Sequence, residues 1–558
     1  MQDSKKNTGS YYTPKILSDF LTSHIFNKYI NKENLSILEP SCGDGQFISS
    51  LFDNINIEDF NSIKMTVCDI DKIELKKATN LIPNSNRIKT IPINDDYLNF
   101  FLNSNKRYSF IVGNPPYIRK KNMEGEQILK CEEVHAKIKQ YSPLIRSKGK
   151  INNIWTAFVE SAIMSLEDDG VMCFVIPAEI MHVNYTKELR SLIQNEFDRV
   201  EIYAFNELIF EGIQQDVVAI VGVKGIQNLE EHGFSFYQVE YLSDLTEPKF
   251  TELHTNIHRL NLDKWTNYVL SDEDLNFVEN LKNQFEPIKN YCDKAQVGIV
   301  SAANDYFILR NSEVLENRLN EIQDLVKPIL SKGSILPNVL NFTEADYVNL
   351  LEKNQRVSFI QFPNEIKSEL NNIAIDYINK GEVKLGDNKG ELHKRYKMTK
   401  RDNWYHVPSV WNSEGVFVKR SHLFPKIIVN SANSLATDSF YRLETKENYN
   451  IRNLAFSFYN SLTFVLAELE GRFYGGGVLE LTPNEFKNLS IPYSQNITSN
   501  QFNKLDLLIR KGENINNILD YTDNILFKNV TINIERLRGI RLQLVNRRIK
   551  NHPIVINK

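Results

Sequence analysis

The chain is 558 residues long with 42% hydrophobic and 24% charged residues, the make-up of a folded globular protein of about two to four domains. No run of about 18 apolar residues occurs and the opening Met1-Gln2-Asp3-Ser4-Lys5-Lys6 lacks an apolar core, which argues against a helical membrane span or a signal peptide and for the cytoplasm. Five scattered cysteines without a CxxC pair argue against a zinc site or a disulfide framework, and a net charge of −4 leaves any nucleic-acid contact to local clusters.

The first element is an amphipathic run after Tyr11-Tyr12-Thr13-Pro14, with Thr13 predicted as the N-cap and Pro14 at the first helical position. Leu35-Ser36-Ile37-Leu38-Glu39-Pro40-Ser41-Cys42-Gly43-Asp44-Gly45 then reads as a strand entering a glycine-containing loop that opens a helix from Gln46. Glycines let the backbone approach a ligand. Glu39 and Asp44 would repel a phosphate and suit a ligand with a cationic amino-acid end. Met65 to Asp71 is a second strand ending in acid, Asp69, of the kind that takes the hydroxyls of a ribose. A third strand ends in Asp95-Asp96-Tyr97, an acid and an aromatic able to hold an adenine's amino group and ring face.

The fourth strand, Tyr108 to Val112, runs into Gly113-Asn114-Pro115-Pro116-Tyr117-Ile118. The prolines fix φ and remove N–H donors, leaving the Asn114 side chain and the Pro115 carbonyl as acceptors beside the flat face of Tyr117. That arrangement suits a planar base carrying an amino group, whose ring stacks on the tyrosine. Further helices over 154–166 and 186–193, and strands over 171–176, 200–205 and 217–223, complete seven strands with helical crossovers, the last of them very apolar. The fold class is α/β: a doubly wound sheet, with ligand groups at successive strand C-termini, where open α/β sheets bind.

In this order, the Tyr-Thr-Pro helix, the acidic glycine loop, the acidic strand tips and Asn-Pro-Pro-Tyr ahead of a long C-terminal region, the chain resembles the gamma-class, TaqI-like, S-adenosylmethionine-dependent DNA adenine-N6 methyltransferases. The resemblance implies a Rossmann-like catalytic domain over 1–245 and a mixed α+β target-recognition region over 246–558, divisible into a recognition domain to 500 and a basic helical tail from 501. It implies that Thr13 and Pro14 contact S-adenosyl-L-methionine, that Glu39, Ser41, Gly43 and Gly45 surround its methionine end, that Asp69 takes its ribose and that Asp96 and Tyr97 take its adenine, with Asn114 also on the cofactor. Asn114, Pro115 and Tyr117 then receive the target base, and the family's second base-stacking aromatic falls at Phe210 in Leu208-Ile209-Phe210-Glu211-Gly212. Where TaqI-like members can carry Glu, this chain has Asp69, a change that a ribose contact tolerates. The chemistry implied is direct attack by an amino nitrogen of a flipped-out adenine, with no metal and no catalytic cysteine.

In the second half, Gln296 to Leu309 reads as strand, small-residue loop and strand, similar to the opening of the family's recognition domain. Lys389 to His406 interleaves basic and aromatic residues, which suits phosphate contact with stacking beside it; Lys394, Arg395, Lys397, Lys400 and Arg401 are the candidates. Gly471-Arg472-Phe473-Tyr474-Gly475-Gly476-Gly477 implies tight backbone approach to another strand or to DNA, with Arg472 and Tyr474 as contacts. The tail carries a basic excess, including Arg510, Arg536, Arg538, Arg548, Lys550 and Lys558. Arg119 to Lys150 reads as a long basic loop, mobile without DNA.

The expected partner is double-stranded DNA, met by a monomer, with a separate restriction endonuclease as a possible companion. Competing readings are an RNA or protein-glutamine methyltransferase of the same fold, a fused restriction–modification enzyme and a DNA-binding module with a degenerate catalytic half. No convincing nuclease constellation is present: Glu365-Ile366-Lys367 has the E-x-K spacing, without a partnered acid.

Overall fold

The computed structural model describes residues 13–142, 151–205, 207, 209–210, 216–247, 251–255, 264–265, 270–383, 391–474 and 477–549. Tyr11, Tyr12, Leu208, Glu211, Gly212, Lys389, Gly475, Gly476, Lys550 and Lys558 lie outside the described residues. The chain divides into two units, 1–269 and 270–558.

The first unit is built on one nine-stranded sheet. Its strands are β1 (Asn34–Glu39), β2 (Ser62–Cys68), β3 (Ile88–Ile93), β4 (Tyr108–Gly113), β5 (Leu166–Pro177), β6 (Arg199–Phe205), β7 (Val217–Val223), β8 (Gly233–Val239) and β9 (Thr251–Thr255), in the order β3-β2-β1-β4-β5-β7-β6-β8-β9. The pairs from β3 through β5 are all parallel, and β7 lies antiparallel between β5 and β6. All six residues of β4 are buried. Ile111 packs with Trp155 and Phe158 on one face, while Phe110 and Val112 pack with Leu17, Leu21 and Phe47 on the other. A strand covered on both faces needs apolar side chains at successive positions, which is why it reads as a continuous hydrophobic run.

The helices that cover these faces are α1 (Lys15–Lys28), α2 (Gln46–Asn54), α3 (Lys72–Asn80), α4 (Tyr97–Leu102), α5 (Gly125–Tyr141), α6 (Trp155–Ser165) and α7 (Lys187–Glu196). The α1 helix begins one residue later than expected. Pro14 is the flanking residue, with ψ 139°, and its carbonyl accepts from Leu17 and Ser18, while Thr13 makes no cap. Its other end is fastened by a buried acid: Glu201 on β6 accepts from His24, Lys28 and Tyr29 as well as from Arg199 and Tyr203. Burial works to raise the Glu201 pKa, but the bonds from His24 and the charge of Lys28 hold it well below the usual carboxylate range.

Two expectations differ from the structure. The sheet does not end at β7, because β8 pairs with β6 along its whole length and β9 pairs with β8. The alternation Phe234-Ser235-Phe236 marks β8, and Ser235 is satisfied inside the sheet by Arg199 at 2.8 Å. The segment after Asn-Pro-Pro-Tyr is not a structureless loop either, since α5 occupies most of it. Cys131, Val134 and Ile138, spaced for one helical face, are buried against α6, and a dense charge pattern on the other face hides that stripe in the sequence.

The second unit holds a five-stranded sheet in the order Cys292–Val297, Phe440–Thr445, Gly415–Val418, Ile427–Asn430 and Asn341–Phe342, a four-stranded sheet that includes Val326–Leu330, and a three-stranded sheet of Arg420–Ser421, Val478–Glu480 and Arg472–Tyr474. Helices Ser499–Arg510, Ile515–Leu526 and Ile534–Ile549 close the chain. They are part of this unit's core. Arg510 pairs with Asp346 and Asp506, Arg538 with Asp520 and Asp523, Arg536 with Asp274, and Arg548 with Glu468. The tail's arginines are therefore largely spent inside the fold. Among the described residues no helix is long and apolar enough to cross a membrane.

Candidate active site

Parallel strands joined by helical crossovers bring their C-terminal ends to one edge of the sheet. The tips of β1, β2, β3 and β4 meet there around a cavity lined by Thr13, Glu39, Ser41, Gly43, Asp44, Asp69, Asp95, Asp96, Tyr97 and Asn114. It lies beside β1, where the sheet order turns from β3-β2-β1 to β4-β5, the usual ligand position of such sheets.

The loop after β1 is stitched to its neighbours. Ser41 Oγ donates to the Asn114 carbonyl at 3.2 Å, tying the β1 loop to the β4 turn. Asp69 accepts from the Gly43 N–H at 2.8 Å through one oxygen and from the Asp71 N–H at 2.8 Å through the other. Burial raises its pKa, and these two donors oppose the rise. Gly43 has φ 50° and Gly45 has φ 85°. A Cβ on Gly45 would meet Ala78 Cα and Leu81 Cδ1 at 2.8 Å, so this glycine serves the close packing of α2 on α3 and is not on the cavity wall.

Glu39 is 1% exposed, and its Oε2 has no hydrogen-bond partner among the described residues. Burial first, then the charges of Asp44 and Asp69, raise its pKa well above the usual 4.5. A buried acid aimed into a cavity among other acids fits a cationic group there.

Asp96 caps α4 through the Leu98 N–H at 2.9 Å and also receives Lys130 of α5 at 3.3 Å. Tyr97 is 3% exposed, with its ring 5.0 Å from that of Phe158. It is a mostly buried part of the wall, and the apolar surface beside it comes from Phe158, Ile118, Ile154 and Ile70. Ile70 is 70% exposed, unusual for an isoleucine and a usable signal at the end of a strand. Gln127 and Lys130 were hidden by the reading of their segment as a loop.

Tyr117 Oη lies 2.6 Å from Asn114 Oδ1 and 2.9 Å from the Val175 carbonyl, so the tyrosine is tethered between the β4 turn and β5. Phe210 is 4% exposed and its ring centroid is 6.3 Å from that of Tyr117 at 58°, in direct ring contact. Pro14, Gly45, Pro115, Tyr117 and Phe210 are not on the cavity wall. The asparagine turn and its aromatic pair thus adjoin the acidic cavity at Asn114.

The basic candidates belong to the second unit. Lys394 pairs with Glu391, Arg395 and Arg401 donate to main-chain carbonyls, and Lys397 and Lys400 are exposed. Arg472 pairs with Glu485, and Tyr474 ends its strand. The close approach implied by the glycine run is to the last helix: a Cβ on Gly477, at φ 68°, would lie 2.8 Å from the Arg548 carbonyl.

Comparison with known proteins adds a second, independent line. The family described as Type II methyltransferase M.Eco57I, C-terminal domain, matches residues 262–527, and that described as Eco57I restriction-modification methylase matches residues 24–210. The chain is 24% identical to the Type II methyltransferase M.AccI of Acinetobacter calcoaceticus over 94% of both chains. It is 21% identical to the Type II methyltransferase M.BanIII of Aneurinibacillus aneurinilyticus, over 72% of this chain and 74% of that one. Among solved structures, a chain of the cryo-EM DrdV–DNA complex is similar in fold, with a TM-score of 0.51 and 13% identity over 91% of this chain and 58% of that one.

Proposed function

We propose that this chain, which is similar to type II methyltransferases in both of its units, methylates the exocyclic amino group of an adenine in double-stranded DNA with S-adenosylmethionine as donor. The observation that carries the reading is the junction of two chemistries at Asn114: an acidic cavity on one side and a rigid acceptor turn with an aromatic pair on the other.

The residues present fit the donor. The unpartnered Glu39 oxygen matches its ammonium, the strand-tip Asp69 its ribose, Asp96 its base amino group, and Ile70, Ile118 and Phe158 the faces of its adenine. When bound, S-adenosylmethionine supplies an electrophilic methyl group on a sulfonium.

The chain's own part is to make a poor nucleophile available. An adenine amino lone pair is delocalised into the ring. Asn114 Oδ1 and the Pro115 carbonyl accept its two hydrogens, which draws the nitrogen toward a tetrahedral shape and localises the pair. The Tyr117 hydroxyl already sits at Asn114 Oδ1, and the second lone pair of that oxygen takes the incoming hydrogen. The nitrogen gains the methyl and sheds one proton to water. Because the atom is inside the duplex, the base leaves the stack and lies on Tyr117, with Phe210 moving from its present ring contact to cover it.

The test is incubation with DNA and S-adenosylmethionine followed by sequencing that reads modified bases. Methylated adenines in one recurring context, absent with Asn114→Ala, support the reading. Methylation of cytosine overturns the choice of base, and cofactor binding without any transfer to DNA overturns the substrate.

A further inference from the structure

Residues 391–406 mix basic and aromatic side chains, and the structure sorts them onto two sides. Leu392, Arg395, Met398 and Arg401 recur at every third position. Leu392 and Met398 are buried. Arg395 donates to the Ala302 carbonyl at 3.3 Å, and Arg401 donates to the carbonyls of Ser301 at 2.8 Å, Val300 at 3.3 Å and Trp404 at 3.1 Å. These four side chains fasten the segment to a loop in which Ala302 has φ 66°, a strained left-handed position for alanine. The two guanidinium groups are engaged by main-chain carbonyls.

The other side faces out. Tyr396 is 78% exposed, and Lys400 Nζ stands 5.5 Å from its ring centroid. Lys397 and Lys400 have no acidic partner among the described residues, whereas Lys394 is paired with Glu391 at 2.7 Å. Asp402 is the sole acid among residues 394–402. A tyrosine held almost wholly in water, flanked by unpaired ammonium groups on a rigidly anchored base, offers a π face for a nucleobase and point charges for phosphates.

Resting on the proposed activity, we infer that Tyr396, Lys397 and Lys400 form a DNA-contact tip of the second unit. The two lysines pair with backbone phosphates and the Tyr396 ring stacks on a base turned out of its pair, where a ring face is free. Arg395 and Arg401 are positioning residues that hold the tip and make no phosphate contact, although their sequence neighbourhood gives all five cations the same appearance.

The experiment is fluorescence anisotropy of a labelled mixed-sequence duplex over a series of salt concentrations, alongside thermal melts of every variant. Each phosphate contact contributes about 0.9 to the slope of log K against log salt, so Lys397→Ala/Lys400→Ala loses about 1.8 from it with an unchanged melt. Tyr396→Ala weakens binding about 5- to 150-fold at fixed salt and Tyr396→Phe does not, as loss of one stacked base requires. Arg401→Gln keeps the slope and lowers the melting temperature. A wild-type slope in the double lysine variant, or a slope reduced by Arg401→Gln instead, overturns the assignment. If the wild-type protein methylates DNA while all these variants bind it equally well, this inference alone falls. If the wild-type protein neither binds nor methylates DNA, the proposed function falls with it.

Discussion

Substituting Glu39 by Gln separates the cost of a buried acid from its use. The residue ends β1 with a side chain 1% exposed and one oxygen unpartnered among the described residues. Burial, reinforced by Asp44 and Asp69, raises its pKa well above 4.5. An acid whose pKa rises on folding favours the fold while protonated. That contribution is complete below the unfolded value and is lost as pH rises through the folded value. The ligand-free protein therefore loses stability from about pH 4.5 upward, and Glu39→Gln removes this group's share of the loss. The amide of the variant leaves a polar atom equally unsatisfied but carries no charge beside Asp44 and Asp69, so at neutral pH the ligand-free variant is the more stable of the two. In the complex the sign reverses. A charge-assisted hydrogen bond to a ligand ammonium contributes about 1.5–3 kcal/mol, so the variant binds S-adenosylmethionine about 10- to 150-fold more weakly. Denaturant melts across pH, paired with calorimetric titration of the cofactor, read both effects. Opposite signs rule out a merely damaged fold. A variant that binds the cofactor as tightly as wild type and melts in parallel with it across pH would falsify the assignment of Glu39 to a cationic ligand.

Other residues give equally specific outcomes. Gly45→Ala places a Cβ at φ 85° and 2.8 Å from Ala78 Cα; left-handed strain and overpacking together cost about 2–4 kcal/mol, seen as a lowered midpoint in urea melts of the whole chain. Tyr117→Phe keeps the ring and removes the hydroxyl's contacts to Asn114 and Val175; with about 1 kcal/mol per neutral hydrogen bond, kcat falls about 5-fold at little-changed KM for DNA, whereas Tyr117→Ala also raises KM. Arg548→Met leaves Glu468 buried without its guanidinium partner and costs about 3–5 kcal/mol; adding Glu468→Met restores most of it, and a double-mutant cycle by denaturant melting measures the coupling.

The chemistry of the first unit was legible because it is local. Glu39, Asp69, Asp96 and Asn114 each end a strand, and each is found at the tip of β1, β2, β3 or β4 in turn. Parallel strands with right-handed crossovers point their C-termini the same way whatever their order in the sheet, so a list of strand tips is already a list of candidate wall residues. The same reasoning could not tell the wall from what stands behind it: Gly45 answers to α3 and is off the wall. Nor could it see α5, whose buried stripe is narrow and crowded by charge.

The second unit was less legible, for a physical reason. A run of arginines and lysines in sequence carries no record of which guanidinium meets a carboxylate or a carbonyl brought from elsewhere. Arg548 meets Glu468 from 80 residues away and Arg401 meets Ser301 from 100. Composition, strand tips and the Asn114 turn follow from neighbours along the chain, so the sequence alone determined the fold class and the chemistry expected of the site. Which cations are spent inside the fold and which face out depends on contacts between distant segments, and only the tertiary structure decided that.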